Sequence, residues 1–192
     1  MDHFMDIHLL PDPELPAHVL MGAMFGKLHR ALVSGGYGAT GGIAVSFPGY
    51  SGRPGAISLG HSLRLLGSAA SLQALLSTGW MGSLRDQANV SAIAAVPITS
   101  THRHLRRVQA KSSPERLRRR LIKRHGIDEA EARHRIPDSA TETLALPFLQ
   151  LRSASTGQNY RLFLQLGPAQ ATAESGSFNT YGLSAAATIP WF

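Results

Sequence analysis

The N-terminal half of this chain switches between strand-like and helix-like hydrophobic periods. The order of those switches restricts its architecture more than any other feature. The stretch "HFMDIHLL" alternates and predicts a first strand. "PAHVLMGAMFGKLHRALVSGG" predicts a helix with Leu20, Met24, Leu28 and Ala31 on one face, stopped by Gly35 and Gly36. "GIAVSFPG" and "ISLGHSLRLLG" read as the second and third strands, separated by the loop "GYSGRPG". "SAASLQALLSTGW" reads as a short helix with Ser71 as its cap. A fourth strand is expected between Ala94 and Lys111, at "HLRRVQAK". The order β-α-β-β-α-β is that of a ferredoxin-like domain. The expected class is α+β, with residues 1–100 as this ferredoxin-like domain and 101–192 as a second domain.

The second half opens on a basic helix spanning about 113–125, in "SSPERLRRRLIKRH". Ser113 suits its cap, Pro114 its first position and Glu115 its positive end. Leu117 and Leu121 share one side with Ile122 beside them. Arg116, Arg119, Arg120 and Lys123 cluster opposite, and Arg118 and Arg124 flank. Gly126 stops the helix. Asp128 and Glu131 form a capping box for a short helix ending before Pro137. "PFLQLRS" and "NYRLFLQLG" predict a β-hairpin, and the tail from Gly176 reads as loop-rich.

Charge narrows the function. There are 19 Lys and Arg against 12 Asp and Glu, a formal net charge of +7, and nine His besides. The excess is local, since residues 1–26 hold no Lys or Arg while six of the nine from Arg116 to Arg124 are cationic. So few acids lie nearby that i,i+4 ion pairs cannot account for the helix. Like charges on one face destabilise an isolated helix by about 0.2–0.5 kcal/mol per close pair, and phosphates offset that cost. A nucleic acid therefore fits better than a solvated face. A membrane surface fits worse, because the apolar seam is narrow. In "RRVQAK" Arg107 and Gln109 would project from one strand face, where Arg can pair with guanine and Gln with adenine.

The absence of cysteine excludes disulfides, zinc ribbons and thiol nucleophiles. The N-terminus carries acids where a signal peptide needs cations, and no apolar run approaches the ~18 residues of a membrane span. A cytoplasmic protein with no membrane partner is expected. No carboxylate cluster suggests two-metal catalysis, so neither metal nor cofactor is expected. RNA can be cut without a metal by a base that takes the proton of a 2′-hydroxyl, and histidine suits that role. His29, one residue past Leu28, sits at the margin of the apolar face of its helix. Ser153 ends the first hairpin strand, Tyr160 opens the other, and Tyr181 precedes a glycine in the tail. None of these is singled out by pattern alone, and Tyr160 suits either stacking on a base or packing.

"FGKLHRALV", "RVQAKSSPERLRRRLIKRH", "EARHRIPD", "LPFLQLRSASTGQNYRLFLQLGP" and "YGLS…PWF" together resemble the repeat-processing endoribonuclease of type I-F CRISPR systems, from Met1 to Phe192. The resemblance implies a metal-independent enzyme that binds the hairpin of CRISPR repeat RNA. Such an enzyme cuts at the 3′ base of the stem and leaves a 2′,3′-cyclic phosphate. It then stays on the guide RNA with other subunits of the surveillance complex. By the same resemblance His29 is the general base, Ser153 positions the 2′-hydroxyl and Tyr181 orients the histidine. Arg107 and Gln109 read the bottom of the stem. Arg116, Arg119, Arg120, Lys123, Arg124 and His125 follow its groove. Ser155 and Thr156 lie near the scissile phosphate. Tyr160 stands where the family has a phenylalanine that stacks under the last base pair. The alternative expectation is a catalytically idle subunit that only binds the hairpin.

Overall fold

The computed structural model describes residues 1–36, 42–109, 114–137, 144–153 and 156–192. They divide into two compact units, Met1–Val108 with Leu146–Phe192, and Gln109–Ala145. This grouping joins the hairpin and tail to the first hundred residues, whereas the sequence reading grouped them with the basic helix.

In the first unit, strands β1 (His3–Leu9), β2 (Ile43–Ser46), β3 (Ser62–Gly67) and β4 (Ala88–Val90) form an antiparallel sheet in the order β2-β3-β1-β4, and β5 (Ala94–Ala95) also pairs with β1. Helix α1 (Ala17–Ser34) follows β1, and α2 (Ala69–Ser77) follows β3. The expected β-α-β-β-α-β order is thus present, and the class is α+β. Two details differ. The helix cap is Ser68, whose side chain accepts from the Ser71 backbone N–H. The fourth strand is Ala88–Val90, too short and too polar around Asn89 to show an alternating pattern. The segment read as the fourth strand contains β6 (Thr101–Arg103) and β7 (Leu105–Val108), which enter two other sheets.

Those sheets carry the hairpin and the tail. Strand β7 pairs with β9 (Asn159–Leu166), which pairs with β8 (Phe148–Arg152), as predicted for the hairpin. The tail is largely irregular but ends in β10 (Ile189–Trp191), paired with β6. On β1, Met5 and Ile7 are fully buried as the alternation requires, yet Asp6 on the other face is buried too. Its carboxylate accepts two bonds from its cross-strand neighbour Arg64, at 2.7 and 2.8 Å. Arg64 also donates to the Phe192 carbonyl, and its guanidinium lies 3.9 Å from the centre of the Phe192 ring. A bidentate, hydrogen-bonded pair satisfies both buried charges and ties the tail to the sheet.

Helix α1 buries Leu20, Met21, Met24, Phe25, Leu28 and Leu32. That stripe is wide, and it is covered by the sheet and by the hairpin together. The helix approaches β8 closely at Gly22, where an added Cβ would lie 2.5 Å from the Gln150 carbonyl oxygen.

In the second unit, α3 (Pro114–His125) is followed by Gly126 at φ 63°, then α4 (Glu129–Arg135) capped by Asp128, whose side chain accepts from the Glu131 N–H at 2.8 Å. Leu117, Leu121 and Ile122 are half-buried. Arg118, placed at the flank by the sequence reading, is instead buried and donates to the Ile136 carbonyl at 2.7 Å. The docked side of the helix is therefore part arginine. Ser113, its expected cap, lies outside the described residues. No helix among the described residues is long and apolar enough to cross a membrane.

Gly22→Ala tests the α1–β8 approach. Alanine favours an isolated helix by about 1 kcal/mol, but forcing β8 off α1 costs about 1–3 kcal/mol. The net is a loss of up to about 2 kcal/mol, so the variant should unfold at no higher urea concentration than the wild type; a raised midpoint would contradict the contact.

Candidate active site

Phe25 and His29 stand one turn apart on α1 and meet the tail. Residues 179–183 form a tight turn there. The Asn179 side-chain oxygen accepts from the backbone N–H groups of Tyr181 (2.9 Å) and Leu183 (3.3 Å), and the Asn179 carbonyl accepts from Gly182 at 2.8 Å. Gly182 has φ 68°, and its carbonyl accepts from the Val45 N–H on edge strand β2 at 3.0 Å. A Cβ there would meet the Val45 side chain at 2.8 Å and its backbone nitrogen at 3.1 Å, so both the conformation and the close approach require glycine.

This turn presents two groups to His29. The Thr180 carbonyl oxygen lies 2.9 Å from Nδ1, and the Tyr181 ring stacks on the imidazole with centroids 4.0 Å apart and planes 3° from parallel. A carbonyl only accepts, so Nδ1 carries the hydrogen of that bond. Neutral His29 then has its lone pair on Nε2. Phe25 continues the stack, 6.4 Å beyond Tyr181. The ring that would act as base is therefore fixed in tautomer and in plane.

From the hairpin side, Ser153 and Tyr160 line the same open cleft as His29, Arg30, Arg152 and Tyr181, a space of about 390 Å³. The Ser153 hydroxyl accepts from the Thr156 N–H at 3.2 Å, inside a loop closed by Gly157 at φ 68°. The hydroxyls of Tyr160 and Tyr181 are hydrogen-bonded at 3.1 Å. Burial pushes the Tyr160 phenol up to about 12; the bond to Tyr181 adds to this and the Arg107 charge opposes it. Tyr160 thus stays a protonated phenol at any working pH.

Three catalytic candidates from the sequence, His29, Ser153 and Tyr181, are brought together, with Tyr160 beside them. Asn179, Thr180 and Gly182, which build the turn, were not anticipated. Their signal was the Asn-x-x-Gly spacing of a tight turn within "NTYG". Thr156 is exposed on the hairpin loop, and Ser155 lies outside the described residues. Arg107 is exposed on β7, which ends at Val108, so Gln109 falls past the strand that was expected to carry both.

In the second unit Arg116, Arg119, Arg120, Lys123, Arg124 and His125 are all exposed on α3. The neighbouring acids of α4 are engaged by their own helix, with Glu129 accepting from Arg133 (2.8 Å) and Glu131 from Arg135 (2.7 Å). They leave the cationic face of α3 in place for a polyanion.

Comparison with known proteins agrees with these features. The family model described as CRISPR-associated protein (Cas_Csy4) matches residues 4–192. A CRISPR-associated endonuclease Cas6/Csy4 of Pseudomonas aeruginosa (strain UCBPP-PA14) is 51% identical over 192 residues, covering all of both chains. A protein of the same name from Escherichia coli (strain UTI89 / UPEC) is 43% identical, again over the full length of both. With a family match across nearly the whole chain and end-to-end relatives at this identity, the chain belongs to the Cas_Csy4 family of CRISPR-associated proteins.

Proposed function

We propose that the protein is a metal-independent endoribonuclease that binds the hairpin of CRISPR repeat RNA and cuts at the 3′ base of the stem. The observation that carries this reading is the anchored imidazole of His29, held by the Thr180 carbonyl and the Tyr181 ring in a cleft shared with Ser153. Nε2 of His29 takes the proton of the 2′-hydroxyl, and the 2′ oxygen forms a bond to the adjacent phosphorus. The bond to the 5′ oxygen breaks, and that oxygen takes up a proton. The products are a 2′,3′-cyclic phosphate and a 5′-hydroxyl. Ser153 positions the ribose, and Tyr181 keeps the imidazole in its plane. The endonuclease names of the relatives support the same class of reaction.

Arg107 and Gln109 are assigned to base readout at the bottom of the stem. Arg116, Arg119, Arg120, Lys123, Arg124 and His125 are assigned to the phosphates along its groove, with Ser155 and Thr156 near the scissile phosphate. An A-form major groove is too deep and narrow for side chains, but a short hairpin is open at its ends and admits a thin helix there. Tyr160 stacks under the last base pair. The protein remains on its product and joins other subunits of the surveillance complex through it.

His29→Ala should abolish cleavage of the cognate repeat RNA in EDTA while leaving hairpin binding within about twofold of wild type. Cleavage at the normal rate would remove His29 as base. If the wild type binds the hairpin but never cuts, the protein is an idle binding subunit.

Tyr160→Phe keeps the ring and removes the hydroxyl bond to Tyr181. A lost hydrogen bond costs about 0.5–1.5 kcal/mol, so the single-turnover cleavage rate should fall roughly two- to tenfold with hairpin binding little changed. Adding Tyr181→Phe should cost little more, because both remove one bond. Additive losses would show that the hydroxyls act separately.

A further inference from the structure

The cleft that holds His29 does not end at that residue. Arg30 and Ser34 line it, and they also line a second hollow across α1, of about 400 Å³, walled by Lys27, Thr78 and Trp80. Lys27, Arg30 and Ser34 follow one another at helical spacing and stand in one row on the surface of α1. The two hollows therefore share Arg30 and Ser34 as a common wall.

Everything in the second hollow favours an anion with an aromatic face. Among the described residues no acid lines it, and α1 contains none. Neither Lys27 nor Arg30 is in an ion pair among the described residues. The Lys27 ammonium reaches the start of the short 3-10 helix Gly82–Gln87, where a Cβ on Gly82 would lie 2.9 Å from Nζ. Trp80 is half-buried and lines the hollow, while its Nε1 is buried and has no hydrogen-bond partner among the described residues.

We propose that this row and hollow bind the single-stranded RNA that continues 3′ of the cut. Arg30 and Lys27 meet successive phosphates, and the Trp80 ring lies against a base. The inference rests on the cleavage reaction proposed above. A cut at the 3′ base of a stem leaves paired RNA on one side of the scissile phosphate and a single strand on the other, and that strand must leave the cleft along some wall. The wall that carries Arg30 is cationic, and it leads to an aromatic ring. Recognition of this kind is tolerant of sequence, because every nucleotide has a phosphate and a base face.

The test uses two substrates with the same cognate hairpin. One ends a single nucleotide past the scissile phosphate, and the other carries about six more 3′ nucleotides. With wild type in EDTA the longer flank should raise kcat/KM on the order of tenfold, the range of one stacked base and its phosphates, chiefly through KM. Lys27→Glu should bring the ratio of the two substrates close to one, and Lys27→Arg should restore it. Trp80→Phe should keep most of it and Trp80→Leu should lose it. Binding of the same RNAs blocked by a 2′-deoxy nucleotide at the cut gives a second readout. The long flank should steepen the salt dependence by about 1.4 in log–log slope for two phosphates, and Lys27→Ala should remove about half of that. Equal kcat/KM for both substrates with wild type overturns the subsite, as does a flank effect that survives Lys27→Glu. Failure of wild type to cut either RNA overturns the cleavage reading instead.

Discussion

The close packing of α1 against strand β8 at Gly22 underlies the candidate site. The buried stripe of α1, from Leu20 to Leu32, is wider than one sheet face can cover. The β2-β3-β1-β4 sheet takes part of it and the hairpin takes the rest, with Leu149, Leu151, Leu162 and Leu164 buried as the hairpin's share. A side chain larger than hydrogen at position 22 would hold the hairpin away. With the hairpin seated, the end of β8 brings Ser153 to the cleft that His29 lines. The margin of the helix's apolar face becomes the floor of the cleft, which is why a half-buried histidine there is also a reachable one.

The acids are as informative as the cations. The chain has 12, and several are committed to local structure. Asp6 holds Arg64, and Asp12 caps its own loop by accepting from the N–H groups of Glu14 and Leu15. Asp128 caps α4, while Glu129 and Glu131 pair along it. Glu174 accepts from Gln170 and lies 3.5 Å from His104. A carboxylate spent on a cap or on its own helix does not neutralise a neighbouring face. Arg119, Arg120, Lys123 and Arg124 on α3, and Lys27 and Arg30 on α1, are not engaged by these acids. The positive charge of this protein is a surface property arranged by where its acids are used.

Much of the fold was legible because it is written in period and punctuation. The amphipathic stripe and paired glycines of α1, the Asp128 capping box and the alternating hairpin each carry a local signal as strong as the structure they form. Strand β4 was not legible, since Ala88–Val90 is held by its place beside β1 and three residues show no alternation. The strand around Leu105–Val108 was legible as a strand but not as a partner of β9, because pairing between distant segments leaves no local mark. Arg118 was misplaced because a helical wheel sorts residues by polarity, whereas a guanidinium can be buried once a carbonyl such as that of Ile136 accepts from it. In the site, His29, Ser153 and Tyr181 were named through family resemblance. Thr180 contributes only a backbone carbonyl, which no side-chain pattern can reveal.

The tyrosine at position 160 sharpens the assignment of the base. The phenol of Tyr160, pushed up to about 12 chiefly by burial, is a donor or acceptor of hydrogen bonds but not a group that gives up its proton in ordinary conditions. Histidine is the one side-chain type lining this cleft that changes charge near neutral pH. The hydroxyl of Tyr160 meets that of Tyr181, and the Tyr181 ring lies flat on the imidazole. A residue that the resemblance assigns to stacking on RNA is thereby joined, through one hydrogen bond and one ring contact, to the imidazole of His29. On the proposed function, seating of the terminal base pair on Tyr160 and alignment of His29 by the Tyr181 ring are linked through the one hydrogen bond between the two tyrosine hydroxyls.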